Sequence, residues 1–370
     1  MGSCRSLGCC CQRRFQSNIL VNVKYCFNMK KVISMLMLAA TVTAGAQAQQ
    51  LLRSTPAAEK VSEDGIEAYK KAVEESGQQL HSFMIVRHGK VVAEQYYGDN
   101  AADKPHVMFS VSKTFTATAI GFAVQEKLLK LDDKVIKFFP DDLPAEVSPN
   151  LAALEIRHLL TMSVGQEVEP NVNAGGTQRW ERVFLETPIT HAPGTRFLYN
   201  SIASYMLSSI IQKVTGKTIF DYLTPRLFKP LQIDGARWES NAQGVNFGGW
   251  GLFIKTEDMA KMGQFIMQKG RWKNKQLISK EWIADATSSH IKQPPQWMKP
   301  DADQTQSDWA QGYGYQMWRC RFGAVRADGK DGQFIIIIPD KDAVVTTTAN
   351  IQNMQEEINL IWKHILPALN

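Results

Sequence analysis

The chain has 370 residues, 44% of them hydrophobic and 21% charged, a balance that excludes a disordered or fibrous protein and leaves ample apolar material for a large core. Its formal charge of +6 does not argue for nucleic-acid or membrane-surface binding: Arg5, Arg13, Arg14, Lys24, Lys30 and Lys31 lie in residues 1–48 with no acid among them, and the remainder is close to neutral.

Met29-Lys30-Lys31 opens a segment with a basic head, an apolar stretch from Val32 to Ala44, and Ala46-Gln47-Ala48. This is the pattern of a secretory signal peptide with an A-x-A cleavage site. The apolar run is short for a lasting membrane span, so the mature protein is expected to begin near Gln49 and to be periplasmic or secreted. Residues 1–28 are then expected to be a leader from a misassigned start. They hold Cys4, Cys9, Cys10, Cys11 and Cys26, without nearby histidines or zinc-finger spacing, so no metal site is expected there. Cys320 alone remains in the mature chain, which excludes an internal disulfide.

Ile66, Tyr69 and Val73 fall at helical spacing in a segment ending near Gly77. Ser82 to Tyr97 reads as a hairpin turning at His88-Gly89. From about Asp99 to Ala310 helical patterns and loops dominate, without internal repeats. Gln316 to Arg321, Gly332 to Ile338 and Ala343 to Thr348 read as three strands, the last two joined by a turn at Pro339-Asp340-Lys341-Asp342. A final helix shows Met354, Ile358, Ile361, Trp362 and Ile365 on one face. Isolated two- and three-strand pieces are poorly stable, so the expected fold class is α+β. Residues 49–98 and 311–370 build one antiparallel sheet flanked by the N- and C-terminal helices, residues 99–310 form a large inserted helical domain, and a cleft between the two holds the site.

Ser110-Val111-Ser112-Lys113 opens a helix expected to continue to about Lys130. Residues three apart on a helix are neighbours, so the Lys113 amine can reach the Ser110 hydroxyl and, if desolvated, act as its base. The free N–H of Ser110 at the helix start suits a developing oxyanion. The spacing alone is weak: Ser289-His290-Ile291-Lys292 repeats it. Ser110 is preferred because it follows the hairpin at the head of a long apolar helix, whereas Ser289 lies in a polar stretch beside Pro294-Pro295. No G-x-S-x-G elbow, H-E-x-x-H or paired Cys-x-x-Cys occurs, which argues against an α/β-hydrolase and against a metal.

With S-x-x-K in place, the chain resembles the serine β-lactamase and penicillin-binding-protein superfamily, in its class-C-like branch of esterases, peptidases and amide hydrolases, including the 6-aminohexanoate-dimer hydrolases. The resemblance extends through Ile156 to Ser163, Pro193 to Ser201, Tyr205-Met206-Leu207, Val214-Thr215-Gly216, Gly248 to Leu252, Glu257 to Ala260 and Gly312 to Tyr315. It implies that Tyr199 relays the proton to the leaving group and that Ser201, or Asn200 beside it, binds a substrate carbonyl. It also implies that Ala327-Asp328-Gly329 stands where the family keeps Lys/His-Thr-Gly. There Gly329 would let substrate approach the strand, and Lys330 would supply the second oxyanion N–H. The missing basic side chain, which Arg326 or Lys330 could replace, counts against β-lactamase and D-alanyl-D-alanine carboxypeptidase activity.

The expected function is an exported serine hydrolase that cleaves a small ester or a short, peptide-like amide through a Ser110 acyl-enzyme. It would need no cofactor, metal or nucleic acid. A β-lactamase or D-alanyl-D-alanine carboxypeptidase is the alternative within enzymes, and a non-catalytic penicillin-binding-protein-like sensor is the alternative outside them. His158 and His191 are read as structural, and Trp180 as either a pocket wall or a packed core residue.

Overall fold

The first long helix, α1 (Glu63–Ser76), begins at Ser62, whose side chain accepts a hydrogen bond from the Gly65 N–H, and ends at Gly77 with φ 68°. Both are ordinary helix-end solutions for unpaired backbone groups. Its buried face is Ile66, Tyr69 and Val73, the three residues that the spacing picks out. In this computed structural model residues 50–173 and 175–370 are described; the expected leader, the signal segment and their five cysteines lie outside the described residues.

Strands β1 (Gln79–Arg87) and β2 (Lys90–Tyr96) form the expected hairpin. His88 and Gly89 both take positive φ, 50° and 76°, as a two-residue turn with the twist of its strands requires. From the other end of the chain come β3 (Trp318–Arg319), β4 (Val325–Gly329), β5 (Gln333–Ile338) and β6 (Ala343–Asn350). All six make one antiparallel sheet in the order β2-β1-β6-β5-β4-β3. The β1–β6 pairing sets Met84 opposite Thr346 and Ile85 opposite Val345, and so joins the two ends of the chain.

Alternation along the strands divides the core into two layers. Phe83, Ile85, Phe334, Ile336 and Val345 pack against Tyr69 and Val73 of α1 and against Ile358, Ile361 and Ile365 near the C-terminus. Met84, Val86, Ile335, Ile337 and Val344 face the middle of the chain, and share one core with Phe115, Ile120, Leu207 and Met259. Three helices of that region matter below: α2 (Ser112–Gln125), α3 (Ser201–Thr215) and α4 (Thr256–Met267). Helix α4 sits directly on the sheet, where a Cβ on Gly263 would lie 2.4 Å from Val344 Cγ1.

Local details depart from expectation. Helix α2 stops at Gln125, five residues before Lys130, because Lys127 turns left-handed (φ 59°) and Leu128 N–H bonds back to the Ala123 carbonyl. The run from Gln316 pairs only at Trp318–Arg319, since Gln316 has φ 58° and spends its amide on the Leu159 and Leu160 carbonyls. Val325–Gly329, which in chain order reads only as a glycine-containing motif, is a full strand.

Candidate active site

Phe109–Val111 forms one 3₁₀ turn that runs into α2. Phe109 takes φ 42°, a left-handed conformation that costs a residue with a side chain about 1–2 kcal/mol. Residues 248–252 hold this turn: Met108 N–H donates to the Leu252 carbonyl (2.8 Å), Leu252 N–H to Ser112 Oγ (3.2 Å) and Thr116 Oγ1 to the Gly248 carbonyl (2.7 Å). Gly249 has to be glycine, because a Cβ there would lie 2.8 Å from the Ser201 carbonyl oxygen.

Helix α2 is buried on nearly every side, as its almost uncharged sequence allows, and it carries Lys113 inward with it. At 1% exposure the amine donates to Ser110 Oγ (2.8 Å), the Gly249 carbonyl (2.8 Å) and Ser201 Oγ (3.2 Å). Burial pushes its pKa from 10.5 down to about 7, against the opposing pull of the Glu169 and Asp328 carboxylates. A lysine so placed is neutral about half the time near pH 7, which lets it accept a proton.

Tyr199 stands beside both Ser110 and Lys113. Its ring lies with its centroid 4.9 Å from Lys113 Nζ and stacks on Trp318 at 5.7 Å. Its phenol interacts with the Ser110 hydroxyl, and burial, reinforced by Asp328, raises its pKa far above the ordinary value. Burial thus acts oppositely on the two groups beside Ser110: it makes Lys113 give up its charge more readily and holds the proton on Tyr199.

The neighbouring candidates separate. Ser201 Oγ belongs to the lysine network, and its N–H donates to Glu169 Oε1 at 2.5 Å. Asn200 does not face substrate: it is fully buried, its Oδ1 caps α3 by accepting from Ile202 and Ala203 N–H, and its Nδ2 donates to Gln166 Oε1. Gly329 is needed for packing, since a Cβ there would lie 2.4 Å from the Met108 carbonyl oxygen. The glycine lets β4 press against the Ser110 turn. Ala327 points into the main core. Arg326 is also withdrawn, fully buried with its guanidinium on Asp328 Oδ2 (2.8 Å) and the Asp308 carbonyl (2.6 Å). Lys330, by contrast, lines the pocket.

That pocket, about 340 Å³, brings Ser110, Tyr199, Asp328 and Lys330 together with Trp297, Trp309, Trp318 and Met354. A larger hollow of about 730 Å³ lies elsewhere, between residues 266–289 and the sheet edge, and contains neither Ser110 nor Lys113. Ser289 lines it, but Ser289 is exposed and outside any helix, so the spacing to Lys292 lacks the geometry that makes the motif work. Trp180 is fully buried and stacks on Phe247 at 5.4 Å. His158 caps a short helix by accepting from Glu155 N–H, and His191 lies beside Arg196. Sequence reading missed the Asp328 carboxyl, Glu169, the Gly249 carbonyl and the three tryptophans as site groups. Only Asp328 had a signal, its place in the third motif.

A serine and a buried lysine at the head of a helix, beside an antiparallel sheet built from both chain ends, define a class of acyl-transfer proteins. Residues 69–369 match the family model described as Beta-lactamase, and the chain belongs to that family of serine hydrolases. It is 23% identical to the 6-aminohexanoate-dimer hydrolase of Paenarthrobacter ureafaciens over 71% of each chain. It is 25% identical to an uncharacterized protein of Alkalihalophilus pseudofirmus over 56% of this chain, spanning 64% of that relative's length. In three dimensions it resembles the octameric penicillin-binding protein homologue from Pyrococcus abyssi, with TM-score 0.65, 22% identity, and coverage of 82% of this chain and 77% of the other.

Proposed function

We propose that the protein is an exported serine hydrolase that cleaves a small ester or a short linear amide by way of a Ser110 acyl-enzyme. The observation that carries this reading is the 2.8 Å bond between Ser110 Oγ and a lysine amine whose pKa burial lowers to about 7. In the mechanism, neutral Lys113 takes the Ser110 proton as Oγ attacks the carbonyl carbon. The backbone N–H groups of Ser110 and Lys330 stabilise the oxyanion. As the tetrahedral intermediate collapses, Tyr199 donates its proton to the departing oxygen or nitrogen and is reprotonated from Lys113. Water then attacks the ester with the same groups acting in reverse, releasing the acid and restoring Ser110.

The 6-aminohexanoate-dimer hydrolase relative supports a linear amide or ester. Against a β-lactamase or D-alanyl-D-alanine carboxypeptidase stands Ala327, buried in the core where the family keeps a basic side chain for the substrate carboxylate. Labelling with a fluorophosphonate, followed by mass spectrometry, tests the reading and separates it from a non-catalytic sensor. An adduct on Ser110 is expected; an unlabelled protein, or an adduct on another residue, would overturn it. Export is tested separately by N-terminal sequencing, which should find a start near Gln49, and an exported form retaining residues 1–28 would contradict it.

A further inference from the structure

Beside Ser110, the pocket presents an unusual combination of aromatic faces and one carboxyl. Trp297, Trp309, Trp318 and Tyr199 line it together with Asp328. Tyr199 stacks on Trp318 at 5.7 Å and meets Trp297 edge-on at 5.5 Å, and Trp297 and Trp318 stand 6.0 Å apart at 68°. The result is a corner of ring surfaces rather than a flat stack. Trp297 is 53% exposed, an exposed tryptophan at the mouth of a pocket whose other rings are half-buried or buried.

Three cations stand near this corner, and one of them, Arg326, keeps its Nη2 without a hydrogen-bond partner among the described residues. Arg326 lies behind the wall, fully buried, 4.3 Å over the Trp309 ring and bonded through Nε to Asp328 Oδ2. It occupies one carboxyl oxygen and leaves Oδ1 without a hydrogen bond among the described residues. Lys330 reaches the rim, with its ammonium 3.6 Å from Asp331 and largely exposed. Lys113 is committed to Ser110, Ser201 and Gly249. Aromatic faces attract cations through their negative π-surfaces; burial raises the Asp328 pKa while Arg326 and Lys113 oppose that rise, and its unbonded Oδ1 offers a cation an acceptor in the same corner.

We infer that this pocket holds an ammonium group of the substrate, so that the ester or amide cleaved at Ser110 carries a protonated or quaternary amine. This rests on the hydrolase reading above and names its substrate class. The cation would sit against Trp297 and Trp318 with Asp328 as its counter-charge, while Ser110 addresses the carbonyl in the same small cavity.

The test compares three p-nitrophenyl esters on the purified chain: 4-(trimethylammonio)butyrate, its neutral isostere 5,5-dimethylhexanoate, and the anionic adipate monoester. The expected order of kcat/KM is cationic, neutral, anionic, with the cation favoured about tenfold or more over its isostere, in keeping with a cation–π site that also contains a carboxylate. The advantage should shrink as salt rises, fall to about one in Asp328→Asn and drop at least about threefold in Trp297→Ala. Tetramethylammonium should also slow fluorophosphonate labelling of Ser110, whichever side of the scissile bond carries the cation. If Asp328→Asn fails to fold because Arg326 loses its counter-charge, the rim variant Trp297→Ala and the protection assay still decide. Normal labelling of Ser110 with no cation preference and no protection would overturn the inference alone, and so would a preference for adipate, which would assign the pocket to Lys330. Absence of labelling in the wild-type chain would overturn the hydrolase reading itself.

Discussion

Replacing Lys113 by methionine separates the lysine's catalytic use from its cost to the fold. Lowering an amine from 10.5 to about 7 by burial corresponds to roughly 5 kcal/mol between its charged and neutral forms, at about 1.4 kcal/mol per pH unit. The folded state binds this proton less readily than the unfolded chain, so the destabilisation is present in full below pH 7, shrinks as pH rises from about 7 to 10.5, and is gone above. Lys113→Met keeps an unbranched side chain one atom shorter and removes the charge, but deprives the Gly249 carbonyl of its donor, a loss of about 1–3 kcal/mol. The variant is therefore expected to be more stable than wild type at pH 6 by a few kcal/mol, with the advantage disappearing toward pH 10 and inverting where only the lost hydrogen bond remains. Urea unfolding of both proteins across pH 6–10 measures this. The same titration governs activity: wild-type kcat/KM should rise tenfold per pH unit and level off near pH 7. A stability difference independent of pH, or a rate limb near pH 10, would refute the claim that Lys113 is held neutral by burial.

The other predictions concern the proton-transfer unit, substrate choice and packing. Ser110→Ala and Lys113→Ala should each lower kcat by about a thousandfold and Tyr199→Phe by about a hundredfold, with the Ser110→Ala/Lys113→Ala double variant scarcely worse than either single one, because the groups act as one unit. Additive losses, or loss of activity in the control Ser289→Ala, would contradict this. Short-chain p-nitrophenyl esters should be turned over with higher kcat/KM than nitrocefin; efficient nitrocefin hydrolysis without esterase activity would reverse the ranking. Asn200→Ala should cost about 1–2 kcal/mol through loss of the α3 cap, read as a lower urea midpoint, whereas an unchanged midpoint with a raised KM would restore Asn200 to the substrate. Gly329→Ala, which drives a Cβ against the Met108 carbonyl, should abolish fluorophosphonate labelling or destabilise the chain, and full labelling at wild-type stability would show that β4 need not touch the Ser110 turn.

What could be read along the chain was what local geometry sets. Ile66, Tyr69 and Val73 mark a helix face because 3.6 residues make a turn, His88-Gly89 marks a hairpin because two residues must take positive φ, and Ser110 and Lys113 are paired by their separation on one helix. Those facts hold wherever the segment is placed. Ser289 and Lys292 share the spacing, but the apolar run after Ser110 and the prolines after Lys292 already separate the two pairs along the chain, and the structure places Ser289 outside any helix. Tertiary structure also decided that Lys113 is buried, and brought it to Gly249 and Ser201 from segments far along the chain. It turned Asn200 into a helix cap, gave Gly329 to packing, and gathered Trp297, Trp309, Trp318 and Asp328 around Ser110. The reason is physical: periodicity reports which side of its own element a residue occupies, whereas a pKa, a partner or a pocket wall depends on which other elements come to lie against that side.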